Sequence, residues 1–253
     1  MRKAMKKLFA LLLALTCSLS AWSQAKKASY SVGLNQDSFF GFYPTITGSY
    51  GISDKVDWTF YSIFWTTPSF GTGGGGGLWT EFGTGVSIST LKGNLKLNPQ
   101  LGLTNGKLLS NGSFAMMAEG LVPSLTANLN SSKLEGQYYL GYYAAIRKGQ
   151  VLQNERTLVD APVQNNFLHW WVNAGYKVSS TLSLGAHYEH LRSNPSGTRA
   201  PESANLYKWF GPYVQASLPN GLSLRFTGGP NVMDRPATDG NNSFYKLSAS
   251  VSF

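Results

Sequence analysis

The chain has 253 residues, with 21 Lys+Arg against 12 Asp+Glu (net charge +9), 13% charged residues and 13% aromatics. That charged share is about half of the roughly 25% usual in a soluble domain, yet no run of 18 apolar residues follows residue 23, which excludes helical membrane spans. No basic cluster or nucleic-acid motif accompanies the charge, and Cys17 is the only cysteine, so nucleic acid is not an expected partner and disulfides or thiolate chemistry are excluded beyond residue 23.

Residues 1–23 read as a cleaved signal peptide. Arg2, Lys3, Lys6 and Lys7 precede the apolar run Leu8–Leu15, and Ala21-Trp22-Ser23 places small residues before a cut ahead of Gln24. Those four cations account for much of the basicity, and residues 24–253 carry a net +5.

Beyond residue 23 the dominant signal is period-two alternation, which turns alternate side chains to opposite faces of a strand. A tight connection near Asp37–Phe40 divides strands at about 29–36 and 43–52. Val56, Trp58, Phe60 and Phe64 then alternate with Asp57, Thr59 and Tyr61. Thr80, Phe82, Thr84, Val86 and Ile88 alternate with Glu81 and glycines, and Leu95, Leu97, Leu101 and Leu103 with Lys96, Asn98, Gln100 and Thr104. In 113–129 Glu119 shares parity with Leu121, Leu125 and Leu129, a conflict that predicts a parity-resetting bulge at Pro123. Tyr138, Leu140, Tyr142, Ala144 and Ile146 alternate with Gln137, Tyr139, Tyr143 and Arg147. Leu168, Trp170, Val172, Ala174 and Tyr176 alternate with His169, Trp171, Asn173 and Lys177. In 205–218 Phe210, Val214, Ala216 and Leu218 oppose Tyr213, Gln215 and Ser217, with Lys208 breaking the pattern toward one end. Leu222, Leu224 and Phe226 oppose Ser223, Arg225 and Thr227. Finally, Tyr245, Leu247, Ala249, Val251 and Phe253 oppose Lys246, Ser248, Ser250 and Ser252.

Short turns near 53–55, 91–93, 130–133, 179–181 and 219–221 alternate with longer loops near 68–77, 105–112, 149–165, 193–204 and 233–241. Transmembrane barrels are wired this way, and closure is forced because open sheet edges have no hydrogen-bond partners in hydrocarbon. The predicted fold is therefore all-β: a closed antiparallel up-and-down transmembrane barrel over 24–253, of about twelve strands, with ten and fourteen open. Trp58, Tyr50, Tyr176 and Phe253 fall toward the short-turn ends and Trp170 toward the other, as interfacial belts require. The glycine run Gly71–Gly77 lacks the Lys-Ser/Thr pair of a phosphate loop and reads as an external loop.

The last strand, closed by Phe253, resembles the assembly signal of outer-membrane barrels. The segments 35–44 (NQDSFFGFYP) and 78–83 (LWTEFG) resemble those of an uncharacterised family of small Gram-negative outer-membrane barrels. The resemblance implies an outer-membrane location, with membrane lipid and the barrel-insertion machinery as partners and no cofactor. It carries no activity over to any residue, and the oligomeric state stays open.

If the apolar rows face lipid, the opposite rows line the interior. The lumen-lining candidates are Glu81, Glu135, Tyr139, Arg147, His169, His187, Glu189, Arg225 and Lys246. A twelve-strand barrel lies between the filled eight-strand barrels and the open sixteen-strand ones. Both a narrow channel for small polar solutes and a sealed polar core are open. His169 is expected opposite or diagonal to Glu189, and His187 opposite Trp171 or Asn173. This group suits a pH-sensitive gate, or a hydrogen-bonded plug without further role, and falls short of a metal-ligand set. Two alternatives remain: a structural or adhesive barrel acting through loops 149–165 and 193–204, and a rim-sited lipid hydrolase drawing on His190, Ser193 and Ser196. No catalytic motif supports the hydrolase.

Overall fold

The computed structural model describes residues 28–66, 79–153, 156–233 and 242–253. Segment 1–23 and the glycine run 71–77 lie outside the described residues. The alternating segments become β1 (Ala28–Asp37), β2 (Gly41–Gly51), β3 (Val56–Trp65), β4 (Trp79–Thr90), β5 (Leu95–Gly106), β6 (Met116–Asn130) and β7 (Leu134–Ala145). After β7 come three short strands, β8 (Gln150–Gln153), β9 (Thr157–Asp160) and β10 (Val163–Gln164), and then β11 (Phe167–Lys177) and β12 (Leu182–Ser193). The chain continues through β13 (Ser196–Gly197), β14 (Ala204–Ser217), β15 (Leu222–Pro230) and β16 (Ser243–Ser252).

Twelve of these strands close one barrel, in the order β1-β2-β3-β4-β5-β6-β7-β11-β12-β14-β15-β16 and back to β1. Every neighbouring pair is antiparallel, so each strand finds partners on both sides and no edge remains. The seam pairs β1 with β16: Val32 faces Val251 and Leu34 faces Ala249. Tyr30 and Phe253 exchange backbone hydrogen bonds of 2.9 Å each way, which brings both described chain ends to one rim. The short connections 52–55, 91–94, 131–133, 178–181 and 218–221 sit at this terminal rim. At the opposite, loop rim the described residues include the connections 107–115 and 194–203 and the short strands β8, β9 and β10, and the tight turn 38–40 is its exception. There β8 and β9 form a hairpin, and β10 pairs β13 across two connections.

Period two divides the surfaces as the sequence predicts. Tyr30, Val32, Leu34, Leu101, Leu184, Leu224, Phe226, Leu247 and Val251 stand exposed on the outer wall, while Thr59, Ser87, Asn173, Ser183 and Thr227 are buried inside. Trp58, Tyr50, Tyr176 and Phe253 are exposed toward the terminal rim. An outer surface this apolar is unsuited to water and suited to hydrocarbon.

One expectation moves. Pro123 stays in regular register opposite Leu101 and exposed. The parity reset lies earlier: Ala118 takes φ 54°, the β5–β6 register shifts between Thr104 and Gly106, and the Glu119 carbonyl accepts both Ile146 N–H (2.9 Å) and Arg147 N–H (3.3 Å). A left-handed alanine is costly, and its effect here is to turn the Glu119 carboxylate away from lipid into the barrel.

Candidate functional site

The largest residues on the inner wall are aromatic, and they gather at the loop end. The turn 38–40 folds inward because Asp37, buried at the end of β1, holds it: Oδ1 accepts Phe39 N–H (2.9 Å) and Phe40 N–H (2.6 Å), and Oδ2 accepts Tyr43 OH (3.0 Å). Phe39 and Phe40 thereby enter the barrel mouth. Phe40 packs on Trp65 (4.7 Å between centroids), Trp65 stacks on Tyr43 (4.8 Å) and leans on Trp79 (5.9 Å). Across the lumen Tyr207 stacks on Trp209 (3.9 Å), which stacks on Phe244 (4.8 Å), while Phe39 meets Tyr207 edge-on (4.9 Å). Phe167, Leu191 and Leu109 complete a buried layer. Each good aromatic pair adds about 0.5–1.5 kcal/mol beyond area burial. Connection 107–115 is drawn onto the layer by Glu119, which accepts Trp79 Nε1–H (2.5 Å), Ser110 N–H (2.9 Å) and Ser110 OH (2.8 Å).

Beneath the layer sits Glu189, fully buried on β12. Its Oε1 accepts His169 Nε2 (2.8 Å) and Tyr207 OH (2.7 Å); its Oε2 accepts His187 Nε2 (3.0 Å) and the Lys246 ammonium. His187 reaches Asn173 Oδ1 with its other nitrogen (2.5 Å). The β11–β12 register settles the alternatives left by the sequence. Trp171 faces Glu189 and Asn173 faces His187, so His169 is diagonal to the carboxylate. A buried carboxylate is tolerated only with several donors and a countercharge, and four strands supply them here. The described residues contain no cluster of three or more His, Cys, Asp or Glu positioned for a metal.

From this floor a polar cavity of about 550 Å³ runs to the terminal rim. Phe40, Trp65 and Tyr143 line its inner end; Ser29, Ser49 and Asn128 line its mouth; Gln100, Gln137, Tyr139, Trp171 and Lys246 lie between. Several tyrosines of the inner wall lie flat over glycines of neighbouring strands. Tyr61 lies where side chains at Gly83 and Gly102 would be, and Tyr213 lies over Gly175 and Gly185. Tyr61 OH donates to Glu81 (2.6 Å), and Tyr139 stacks on Trp171 at 4.0 Å. Near the rim Glu135 accepts Tyr213 OH (2.9 Å) and Ser183 OH (3.0 Å), with Arg225 Nη2 4.0 Å away and its guanidinium 4.6 Å over the Tyr213 ring.

Eight of the nine predicted lumen residues, Glu81, Glu135, Tyr139, His169, His187, Glu189, Arg225 and Lys246, stand on the inner wall in these groups. Arg147 does not. It follows the end of β7, is exposed, and donates through Nη1 to the Met117 carbonyl (2.8 Å). The bulge opposite Glu119 ends the alternation that would have turned it inward. His190 faces outward, accepting Trp170 Nε1–H at Nδ1 (3.2 Å) and meeting Asn205 Oδ1 through Nε2 (2.8 Å); neither Ser193 nor Ser196 bonds it. The residues missed from the sequence are the inward aromatics Trp65, Trp79, Phe167, Tyr207, Trp209 and Phe244. Their parity was readable, but the inner face was expected to be polar.

The model of a family of unknown function, DUF6733, matches residues 1–253. No curated protein matches the chain. Among solved structures, an outer membrane channel from Pseudomonas putida F1 shares the fold at a TM-score of 0.56 and 11% identity, covering 91% of this chain and 96% of that one. A NanC porin shares it at a TM-score of 0.50 and 11% identity, covering 88% and 98%. Likeness this distant is likeness of fold.

Proposed function

We propose that this chain, which belongs to the DUF6733 family, is an integral barrel of the bacterial outer membrane and a narrow, gated channel for small polar solutes. The carrying observation is the polar cavity, about 550 Å³, that is open to the terminal rim and stopped by the aromatic layer at the loop end. In this reading the terminal rim is periplasmic and the layer is the gate. The fold likeness to an outer membrane channel and a porin supports it. The layer also holds an unsatisfied polar group: Trp209 Nε1 is buried without a hydrogen-bond partner among the described residues. Such a group costs about 1–3 kcal/mol, and contact with water or a polar solute in an open state relieves that cost.

The test is conductance in planar bilayers and solute flux in liposomes, for the wild type and for a Phe40→Ala/Trp209→Ala variant. The wild type should show small or infrequent openings and the variant severalfold larger conductance. If neither conducts, the channel reading fails and a sealed structural barrel, acting through its loops, takes its place.

A further inference from the structure

The outer wall should carry no charge within hydrocarbon. Among the described barrel strands just two charged side chains break this rule, Arg192 on β12 and Lys208 on β14. Both are basic, both lie toward the loop end, and they sit on adjacent strands. Lys208 faces His190 and, past a bulge that skips Leu206, Arg192 faces Asn205, so the two cations are diagonal neighbours across that bulge. Facing residues in a sheet stand about 5 Å apart and diagonal ones about 7–8 Å, close enough for long side chains to reach one group. Neither cation belongs to an ion pair among the described residues.

Height on the wall identifies what faces them. A strand rising about 3.3 Å per residue and tilted about 40° climbs roughly 2.5 Å per residue along the membrane normal. Arg192 lies about ten residues above Leu182 at the terminal rim, hence about 25 Å up, the height of the apolar band of such barrels. Lys208 pairs with His190, eight residues above Leu182, hence about 20 Å up. Its long stem can lie along the apolar wall while the ammonium extends to the boundary where lipid headgroups begin, which Arg192 occupies, above Val172, Tyr188 and Phe210.

The surroundings are ordered. Trp170 donates into His190 Nδ1, which leaves the ring proton on Nε2 to donate to Asn205 Oδ1. That ring is neutral and holds the Asn205 carbonyl oxygen; the Asn205 amide nitrogen has no hydrogen-bond partner among the described residues, and Asn205 faces Arg192 across the ladder. Two cations and an amide donor at headgroup height match a phosphate, which Arg binds bidentately and Lys as a point charge.

We propose that Arg192, Lys208 and Asn205 form a binding site for the phosphate headgroup of an outer-leaflet lipid. This rests on the outer-membrane reading but not on conduction. The test titrates the detergent-solubilised full-length barrel with dioleoyl phosphatidic acid, with the chain-matched dioleoylglycerol, and with inorganic phosphate. Binding of phosphatidic acid over dioleoylglycerol is expected. An Arg192→Gln/Lys208→Gln variant should bind it about tenfold more weakly. Arg192→Lys/Lys208→Arg and the terminal-rim control Lys92→Gln should bind as wild type does. Equal binding of both lipids, undiminished binding by the Gln pair, or equal affinity for inorganic phosphate overturns the site. The wild-type comparison of the two lipids decides the matter even if the Gln pair does not fold. Insertion into vesicles is scored separately: a barrel that fails to insert refutes the membrane reading, and one that inserts without lipid preference refutes this site alone.

Discussion

Replacing Glu189 with glutamine keeps the shape and removes the charge. Its carboxylate is fully buried and accepts His169, His187, Tyr207 and Lys246. The amide keeps one accepting oxygen and turns its own donor toward groups that also donate. Lys246 is left without its countercharge. Breaking a buried pair from one side costs about 3–5 kcal/mol. The Lys246 side chain is 17% exposed and faces the cavity, where water partly solvates it, so the low end, about 3 kcal/mol, is expected. Lys246→Met leaves the carboxylate three donors and should cost about 1–3 kcal/mol. The double variant retains neither charge. It should be more stable than the sum of the two losses implies, by about 2 kcal/mol of coupling. Urea titration of the refolded barrel in detergent, followed by tryptophan fluorescence and by heat-dependent gel mobility, measures all four corners of this cycle. If Glu189→Gln falls within about 0.5 kcal/mol of the wild type, or the losses add within that margin, the group is not the coupled structural knot described here.

Three further outcomes follow from particular contacts. Asp37→Ala removes the acceptor for two backbone N–H groups and for Tyr43 OH; it should free the turn 38–40, cost about 1–2 kcal/mol, and raise the frequency of channel opening in planar bilayers. Gly185→Val places a branched side chain where the Tyr213 ring lies, and should break the Tyr213–Glu135 hydrogen bond at a cost of about 1–3 kcal/mol, seen as a lower urea midpoint. Arg147→Ala should leave single-channel conductance unchanged, since its side chain bonds the Met117 carbonyl outside the lumen; a change in conductance would return it to the lumen wall.

The barrel was legible because its signal is local and repeated. In β16 Tyr245, Leu247, Ala249 and Val251 mark one face, which Phe253 continues just past its end, and the turn rhythm gives the strand count. Register was legible only in part. The turn after β11 allowed His169 two positions relative to Glu189, and only the closed ladder selects the diagonal one. The reset at Ala118 was hidden, since nothing in an alanine announces a left-handed backbone; Pro123 was the more visible suspect. The bulge it belongs to also carried Arg147 out of the lumen. The aromatic layer was hidden for another reason. Trp79, Tyr207, Trp209 and Phe244 lie on inward parity, but their packing depends on residues far apart in the chain. It depends as well on a three-residue turn that folds inward where a loop of that rim would be expected to project.

The central claim is a sheet closed on itself in lipid, apolar outside and polar within. Single spin labels placed one at a time along 245–252 of the vesicle-inserted barrel, with Cys17 replaced, test it most directly through collision with dissolved oxygen and with a water-soluble nickel chelate. Positions 245, 247, 249 and 251 should favour oxygen, and 246, 248, 250 and 252 the nickel chelate, in strict alternation. Odd positions shielded from both reagents, in a protein that stays monodisperse without detergent, would place those side chains in a packed soluble core and contradict the account.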